Sequence, residues 1–196
     1  AELFDIKADP GQLKNVAAEH PEVARRLMGD YEKWWEEITP VFSTVSEQVV
    51  GSTHENPVLL TSHSWRTPSK EKSYNQKHVR AGIPISDAYW PVDVARSGRY
   101  RVELRRWPRE AGVPIVASVP KLVEPFVEDR LAGRAYNIVR ATLSVQGQNQ
   151  QCKVSKKDCA AVFEVSLEKG ITELRAGFDL VDGSHINAYY VYIEKL

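Results

Sequence analysis

The sequence predicts a mainly β protein with one amphipathic helix near its start, in which the strands form an antiparallel β-sandwich. Two observations predict this fold class. Apolar residues recur with a helical period between residues 21 and 38, and from about residue 45 onward they alternate with polar residues at the two-residue period of a strand. Turn residues separate the alternating runs at hairpin spacing without intervening helices, which favours an antiparallel sandwich over a parallel α/β sheet.

The first forty residues contain the helical pattern. Leu3–Ile6 is a short strand-like run, and the Asp-Pro-Gly at 9–11 predicts a turn over residues 8 to 12, because proline fixes φ and glycine permits a left-handed residue. Pro21 suits the first turn of a helix. The apolar residues that follow it at steps of three and four are Val23, Leu27, Tyr31, Trp34, Trp35 and Ile38.

The end of the helix marks the expected domain boundary. Pro40 ends the helix, and the change of period places the boundary between Pro40 and Ser46. We therefore expect one segment over residues 1–42 and a β-sandwich over residues 45–196.

Seven or eight strands are predicted in the second segment. Alternating runs lie at residues 100–105, 139–145, 163–168 and 174–179, with shorter strands at 58–61 and 90–94. The final strand, 186–193, carries apolar or aromatic residues on both faces, which indicates a strand that is covered on both sides. Residues 108–137 contain four prolines and are interpreted as a long excursion with room for a helical turn.

Composition excludes several classes of function. The 26 Lys and Arg residues balance 26 Asp and Glu residues, so no broad attraction to nucleic acid or to an acidic membrane is available. No apolar run is long enough to span a membrane. The histidines are scattered without the spacing of a zinc site, and neither a G-x-S-x-G elbow nor a Gly-rich phosphate loop occurs. No catalytic or metal-binding residue is predicted.

Aromatic residues in loops are the candidates for ligand binding. The segment from Tyr74 to His78 places a ring, two amides and an imidazole within five residues, a set that can stack on a sugar and bond to its hydroxyls. The predicted ligand-binding residues are Trp65, Tyr74, Asn75, Gln76 and His78. The alternative is that these side chains only hold a long loop against the sandwich or cover its open end.

The strand faces are expected to face solvent and to leave sugar binding to the loops. They carry both charge signs and no aromatic platform, in the residues Arg101, Glu103, Arg105, Glu164, Glu168, Arg175 and Asp179. Such faces are well solvated but offer no ring on which a pyranose can stack.

Several segments resemble a known family. Residues 2–12, 15–17 and 20–22, with the helix to Trp35, closely resemble the end of the catalytic domain in type-I, formylglycine-dependent arylsulfatases. The remainder is similar to the extension of many bacterial members, at residues 63–65, 74–79, 97–100, 105–108 and 188–192. Residues 98–102 and 167–170 are similar to short patterns in carbohydrate-binding jelly rolls, so the sandwich is expected to be jelly-roll-like.

The resemblance implies a non-catalytic, C-terminal part of a sulfuric ester hydrolase. Residues 1–42 would be the tail of the catalytic domain, and residues 45–196 would pack against that domain and help shape its substrate cleft. The C/S-x-P-x-R motif that supplies the family's nucleophile is missing, so the fragment itself is expected to be inactive. Formylglycine and calcium would belong to the catalytic domain, which is the expected intramolecular partner, and no cofactor is expected in this fragment.

The resemblance also implies export to the periplasm or the exterior. There, Cys152 and Cys159, which flank a polar loop between two strands, are expected to lie close enough to bridge. Two other functions stay open: an independent carbohydrate-binding module for sulfated glycans, and a self-contained enzyme.

Overall fold

A computed structural model describes residues 2–68, 75–82, 85–123 and 130–196. The chain divides into two compact units, Ala1–Val45 and Ser46–Leu196. The division lies within the interval in which the boundary was expected, and each unit is described by itself below.

The first unit consists of a looped segment and one helix. Helix α1 spans Pro21–Ile38 and is followed by a 3-10 turn at Thr39–Ser43. The helix follows the predicted pattern, with proline in its first turn. Its last turn is closed by Thr39, whose Oγ1 donates to the carbonyl oxygen of Trp35 at 2.6 Å.

The segment before α1 differs from the prediction. Residues 3–6 form no strand, because the backbone of Leu3 pairs with a neighbouring loop instead. The Leu3 N–H donates to Asn15 Oδ1 at 3.1 Å, and the Leu3 carbonyl accepts from the Val16 N–H at 2.8 Å. The left-handed residue of the following turn is Gln12, with φ 54°, and not Gly11.

The apolar side of α1 is exposed. No residue of this helix is buried, and its large side chains are 43% to 51% exposed at Leu27, Met28, Tyr31, Trp34 and Trp35. The ring of Tyr31 lies 5.8 Å from that of Trp34 and 6.0 Å from that of Trp35. The first unit therefore exposes large apolar side chains along this helix.

The second unit contains two β-sheets. Its strands are β1 (Gln48–Val50), β2 (Val58–Thr61), β3 (Trp90–Val94), β4 (Gly98–Arg105), β5 (Ile138–Val145), β6 (Gln148–Lys153), β7 (Ala161–Leu167), β8 (Gly170–Leu180), β9 (His185–Asn187) and β10 (Tyr190–Lys195), with a short helix α2 (Gln76–Ala81). One sheet has the order β1-β3-β8-β5-β6, with β9 pairing with β8, and the other has the order β2-β10-β4-β7. Among the described strands, β1 and β3 pair in parallel and all other pairs are antiparallel.

The two sheets share one hydrophobic core. Alternation along the strands directs one side chain in two inward, as in β7, where Phe163 and Val165 are buried between exposed neighbours. Trp90 on β3 and Phe178 on β8 are fully buried in the same cluster, and burial of such rings contributes about 2 to 3 kcal/mol each. The mainly β, two-sheet architecture is the predicted sandwich.

Strand β6 was not predicted, because its inward side chains are polar. Gln148 and Gln150 donate to the carbonyl oxygens of Ser166 and Glu164 on β7, at 2.6 and 3.0 Å. Gln146, in the preceding turn, donates in the same way to Glu168 at 2.8 Å. These three glutamines, the glutamine ladder, join the edges of the two sheets where apolar residues would otherwise stand.

The final strand is split in two, contrary to the prediction of one strand over 186–193. Strand β9 belongs to the six-stranded sheet and β10 to the four-stranded sheet, with Ala188 and Tyr189 between them. Ala188 bonds to Ala176 of the first sheet, and the Tyr189 carbonyl accepts from Ser62 beside the second. Strand β10 lies between β2 and β4, and Tyr192 and Ile193 on its two faces are both buried, as expected.

A buried arginine organises the long excursion after β4. Arg106 is 0% exposed and donates to the carbonyl oxygens of Ala117 and Arg134. Its guanidinium lies 4.6 Å from the ring centre of Trp107 and 4.4 Å from that of Tyr136. Burial lowers the pKa of Arg106 to about 10, so the side chain stays charged near neutrality. The expected helical turn is the 3-10 turn at Arg109–Ala111.

The two cysteines are free thiols in this structure, so the predicted bridge is not formed. Cys152 lies in β6, and Cys159 lies beyond that strand with its Sγ 3.6 Å from the Gly112 carbonyl oxygen. Burial raises the pKa of the Cys152 thiol, which reduces its reactivity.

Candidate functional site

A groove of about 500 Å³ lies on the outer face of the six-stranded sheet, across β5, β6 and β8. Its lining residues are Ser86, Ala88, Thr142, Leu143, Ser144, Asn149, Gln150, Gln151, Arg175, Ala176, His185 and Asn187. The volume falls within the usual range for ligand pockets. Because most of the lining comes from paired strands, with only Ser86 and Ala88 from a loop, its polar groups are held in fixed positions.

Strand register sets the spacing of these polar groups. Thr142 on β5 is paired with Gln151 on β6 and with Gly177 on β8. Two residues further along, Ser144 is paired with Asn149 and with Arg175. Adjacent strands are about 4.8 Å apart, so amides and hydroxyls form two neighbouring rows across the sheet.

Gly177, the β8 partner of Thr142, lies beneath the imidazole of His185, which lines the groove. A Cβ at this position would lie 2.3 Å from His185 Nε2 and 2.5 Å from the carbonyl oxygen of Ile186. The absence of a side chain therefore lets the imidazole of His185 lie over the strand. A glycine inside a strand often marks such a close approach.

The orientation of His185 is fixed by Asp179. Nδ1 of His185 lies 2.7 Å from one carboxylate oxygen of Asp179, and Nε of Arg140 donates to the other at 2.7 Å. Burial alone would raise the pKa of Asp179, but the bonds from His185 and Arg140 outweigh it and lower the pKa. The ionised carboxylate accepts the Nδ1 proton, which leaves Nε2 over Gly177 as the second hydrogen-bonding atom of the ring.

Arg175 is held by three contacts at the side of the groove. Its guanidinium carbon lies 4.8 Å from the ring centre of Tyr89. One terminal nitrogen donates to the Asp87 carbonyl oxygen at 3.2 Å and the other to Glu173 at 2.7 Å. These contacts fix the plane of the guanidinium.

The arrangement suits binding more than catalysis. Asparagine and glutamine amides and serine and threonine hydroxyls each offer donors and acceptors, which is what a ligand with many hydroxyls requires. Among the described residues, no group of three potential ligands is placed to hold a metal ion. The groove lies on a sheet face that was expected only to face solvent. The sequence feature that could have located it is the pair of alternating amides on β6, Asn149 and Gln151, together with the glycine inside β8.

Trp65 does not fit its predicted role. Its side chain is 6% exposed, and its ring packs edge-on against Trp90 at 5.8 Å and beside Tyr189 at 5.6 Å. The loop after β2 turns back into the sandwich and makes Trp65 part of the core. No face of this ring is available to stack on a sugar.

The other predicted site residues lie around α2. Asn75 is the N-cap, and its Oδ1 accepts from the His78 N–H at 2.9 Å. Gln76 donates to the Tyr190 hydroxyl at 3.1 Å. Tyr74 lies outside the described residues. A ligand-binding role for these residues stays a prediction, and the helix that carries them was not expected.

On the other sheet, Glu103 was expected to face solvent, but it is buried. This carboxylate is 5% exposed and accepts from Arg105 and Arg109. Arg109 is also stacked 4.0 Å from the ring centre of Tyr192. Glu103 is therefore the centre of a structural ion cluster and not a solvated surface residue.

Comparisons with known proteins leave the family of this chain open. No model of a protein family matches the sequence, and no curated protein is significantly similar to it. Solved structures with some likeness include a ruminal GH26 endo-β-1,4-mannanase, at 14% identity and TM-score 0.35, which covers 72% of this chain and 26% of that chain. The chain thus spans about a quarter of that enzyme.

Two further structures are carbohydrate-binding modules. A CBM35 from Cellvibrio japonicus Abf62 has 9% identity and TM-score 0.34, with 72% of this chain and 88% of that chain covered. A family 35 module from Clostridium thermocellum has 13% identity and TM-score 0.35, with 72% of this chain and 100% of that chain covered. Superpositions of this quality establish neither a shared function nor a shared site. None of the described helices is long and apolar enough to cross a membrane.

Proposed function

We propose that the unit Ser46–Leu196 is a carbohydrate-binding domain and that its ligand lies in the groove on the six-stranded sheet. The observation that carries this proposal is the double row of amides and hydroxyls on β5 and β6. The sequence left an independent carbohydrate-binding module open as an alternative, and the proposed site is on a sheet face and not in the loops.

The groove matches the chemistry of a sugar ring. The hydroxyls of a pyranose both donate and accept hydrogen bonds. The side chains of Thr142, Ser144, Asn149 and Gln151 can likewise act as donors and as acceptors. The imidazole of His185 occupies the space above Gly177 and adds Nε2 to the groups that line the groove. Because the side chains stand on paired strands, little ordering accompanies binding, which favours affinity.

Titration of the protein with oligosaccharides of different backbones, followed by calorimetry and by NMR shifts, tests the proposal. Replacing both exposed amides, Asn149→Ala with Gln151→Ala, is expected to weaken binding about tenfold or more, since each hydrogen bond contributes about 0.5 to 1.5 kcal/mol. Ser166→Ala, an exposed change on the outer side of β7, is the matched control. Absence of binding to every backbone, or equal affinity in both variants, would contradict the proposal.

We also propose that this unit belongs to a larger, exported sulfuric ester hydrolase, as the resemblance of the first segment to arylsulfatases implies. The exposed aromatic side of α1 supports this second proposal, because an apolar face of that kind is expected to pack against another domain. That domain would supply the formylglycine and calcium of the family, and this chain would be non-catalytic.

Assays with aryl sulfates test the second proposal. The 196-residue chain is expected to show no hydrolysis, whereas the protein extended at its N-terminus should hydrolyse the substrate. In the extended protein, Trp34→Ala with Trp35→Ala should lower thermal stability, while Glu22→Ala, on the same helix, should not. Turnover by the 196-residue chain itself, removed by one point mutation in it, would overturn the assignment.

A further inference from the structure

The groove is lined by positive and neutral groups. Among the described lining residues there is one arginine and one histidine but no aspartate or glutamate. Sites for neutral sugars gain from carboxylates, which accept from several hydroxyls at once. A lining without carboxylates instead favours a ligand that brings its own negative charge.

Two carboxylates bonded to lining residues of the groove are each held in an ion pair. Asp179 uses one oxygen for His185 and the other for Arg140, and its pKa is lowered by those bonds. Glu173 bonds to one terminal nitrogen of Arg175. Neither carboxylate is among the groove's lining residues, so neither occupies the groove itself.

Arg175 keeps donors available to a ligand. A guanidinium has five N–H donors, and the described hydrogen bonds of Arg175 use two of them, one to Asp87 and one to Glu173. The stack on Tyr89 holds the group in place, so binding an anion requires little further ordering. Ser144, its register partner on β5, places a hydroxyl beside it.

We infer that the groove takes a carbohydrate with an acidic substituent, a carboxylate or a sulfate ester, and that this substituent lies beside Arg175. The inference rests on the proposed carbohydrate binding and specifies the class of ligand. Charge-assisted hydrogen bonds are about twice as strong as neutral ones, and bonds to charged groups contribute about 1.5 to 3 kcal/mol. Because Arg175 is half-exposed, we expect a contribution at the lower end of this range, which corresponds to about tenfold tighter binding of the acidic ligand than of its neutral counterpart.

Matched pairs of oligosaccharides test this inference on the whole chain. One pair is a uronic-acid oligosaccharide and its methyl ester, and the other is a sulfated oligosaccharide and its desulfated form. The charged member of at least one pair should bind about tenfold more tightly, and the pair that shows the preference identifies the acidic group. Raising the salt concentration should reduce that preference.

Two substitutions in the groove, with one control on the other sheet, locate the charge effect. Arg175→Gln should remove the preference and leave binding of the neutral member, whereas Arg101→Gln, at a similarly exposed arginine on the other sheet (45% against 46%), should change neither. Asn149→Asp adds a carboxylate to the groove with nearly the same side-chain shape and should weaken binding of the charged member more than that of the neutral member. The Asn149→Asp variant tests the inference if Arg175→Gln is unstable.

The outcomes separate the two proposals. Equal affinity for both members of each pair, or a preference that survives Arg175→Gln and Asn149→Asp, overturns the acidic-ligand inference but leaves carbohydrate binding in place. No binding to any member overturns both.

Discussion

At the scale of single residues, the most consequential feature is the buried carboxylate of Glu103. Burial alone would raise its pKa, but hydrogen bonds from Arg109 and Arg105 outweigh that effect and lower the pKa. A carboxylate with a lowered folded-state pKa stabilises the protein above its unfolded-state pKa, and the contribution disappears as the pH falls through the folded-state value. This part of the stability is therefore present at neutral pH and lost in acid, below about pH 4.5.

Glu103→Gln is expected to lower the free energy of unfolding by about 1.5 to 3 kcal/mol at pH 7, the contribution of hydrogen bonds to a charged group. Glu164→Gln, which removes an exposed pair with Arg99, should cost about 1 kcal/mol or less. Urea unfolding of both variants and of the wild type at pH 7 and pH 3.5 measures this. A difference between wild type and Glu103→Gln that does not shrink in acid would contradict the assignment.

At the scale of elements, strand β6 shows how a polar strand is retained in a sandwich. One side carries the glutamine ladder to β7, and the other carries Asn149 and Gln151 of the groove. The same strand therefore joins the sheet edges and presents the candidate site. Loosening the ladder should therefore also disturb the site, which Gln150 itself helps to line.

Gln148→Ala with Gln150→Ala should destabilise the protein by about 1 to 3 kcal/mol, since two hydrogen bonds of about 0.5 to 1.5 kcal/mol each are lost. Amide hydrogen exchange in β6 should accelerate more than exchange in β8, because β6 is at the edge of its sheet. Lys153→Ala, on the outer side of the same strand, is the control. Unchanged exchange in β6 would show that the ladder does not hold this edge.

At the scale of the whole molecule, the two units differ in how well they bury their apolar surface. The sandwich has a continuous core of fully buried side chains, whereas α1 has no buried residue. The sandwich has the features of a domain that folds by itself. The first unit exposes aromatic rings, including Trp34 and Phe42, that a further partner would cover.

Residues 46–196 alone are expected to unfold in one cooperative transition with nearly the same midpoint as the whole chain. Removing residues 1–45 should also sharply reduce the fluorescence of a dye that binds exposed apolar surface, since the exposed rings of α1 are removed with them. Calorimetry and dye binding on both chains measure these effects. A large loss of stability in the shorter chain would contradict the independence of the sandwich.

The sequence by itself determined the features that depend on local periodicity. Helix α1 was predicted because its apolar residues repeat within the element, and β2 and β3 were predicted with their observed bounds. Alternation likewise identified most of the strands of the core. These patterns are readable because burial of one face imposes a fixed spacing on adjacent residues.

Only the tertiary structure decided the features that depend on which distant residues meet. Strand β6 has no apolar face, because its glutamines bond to β7, and Trp65 is buried because Trp90 and Tyr189 approach it from other strands. The groove exists because register brings polar side chains of β5, β6 and β8 together. Pairing between strands far apart in the chain leaves no periodic signal in either one, so the site could be found only after the sheets were known.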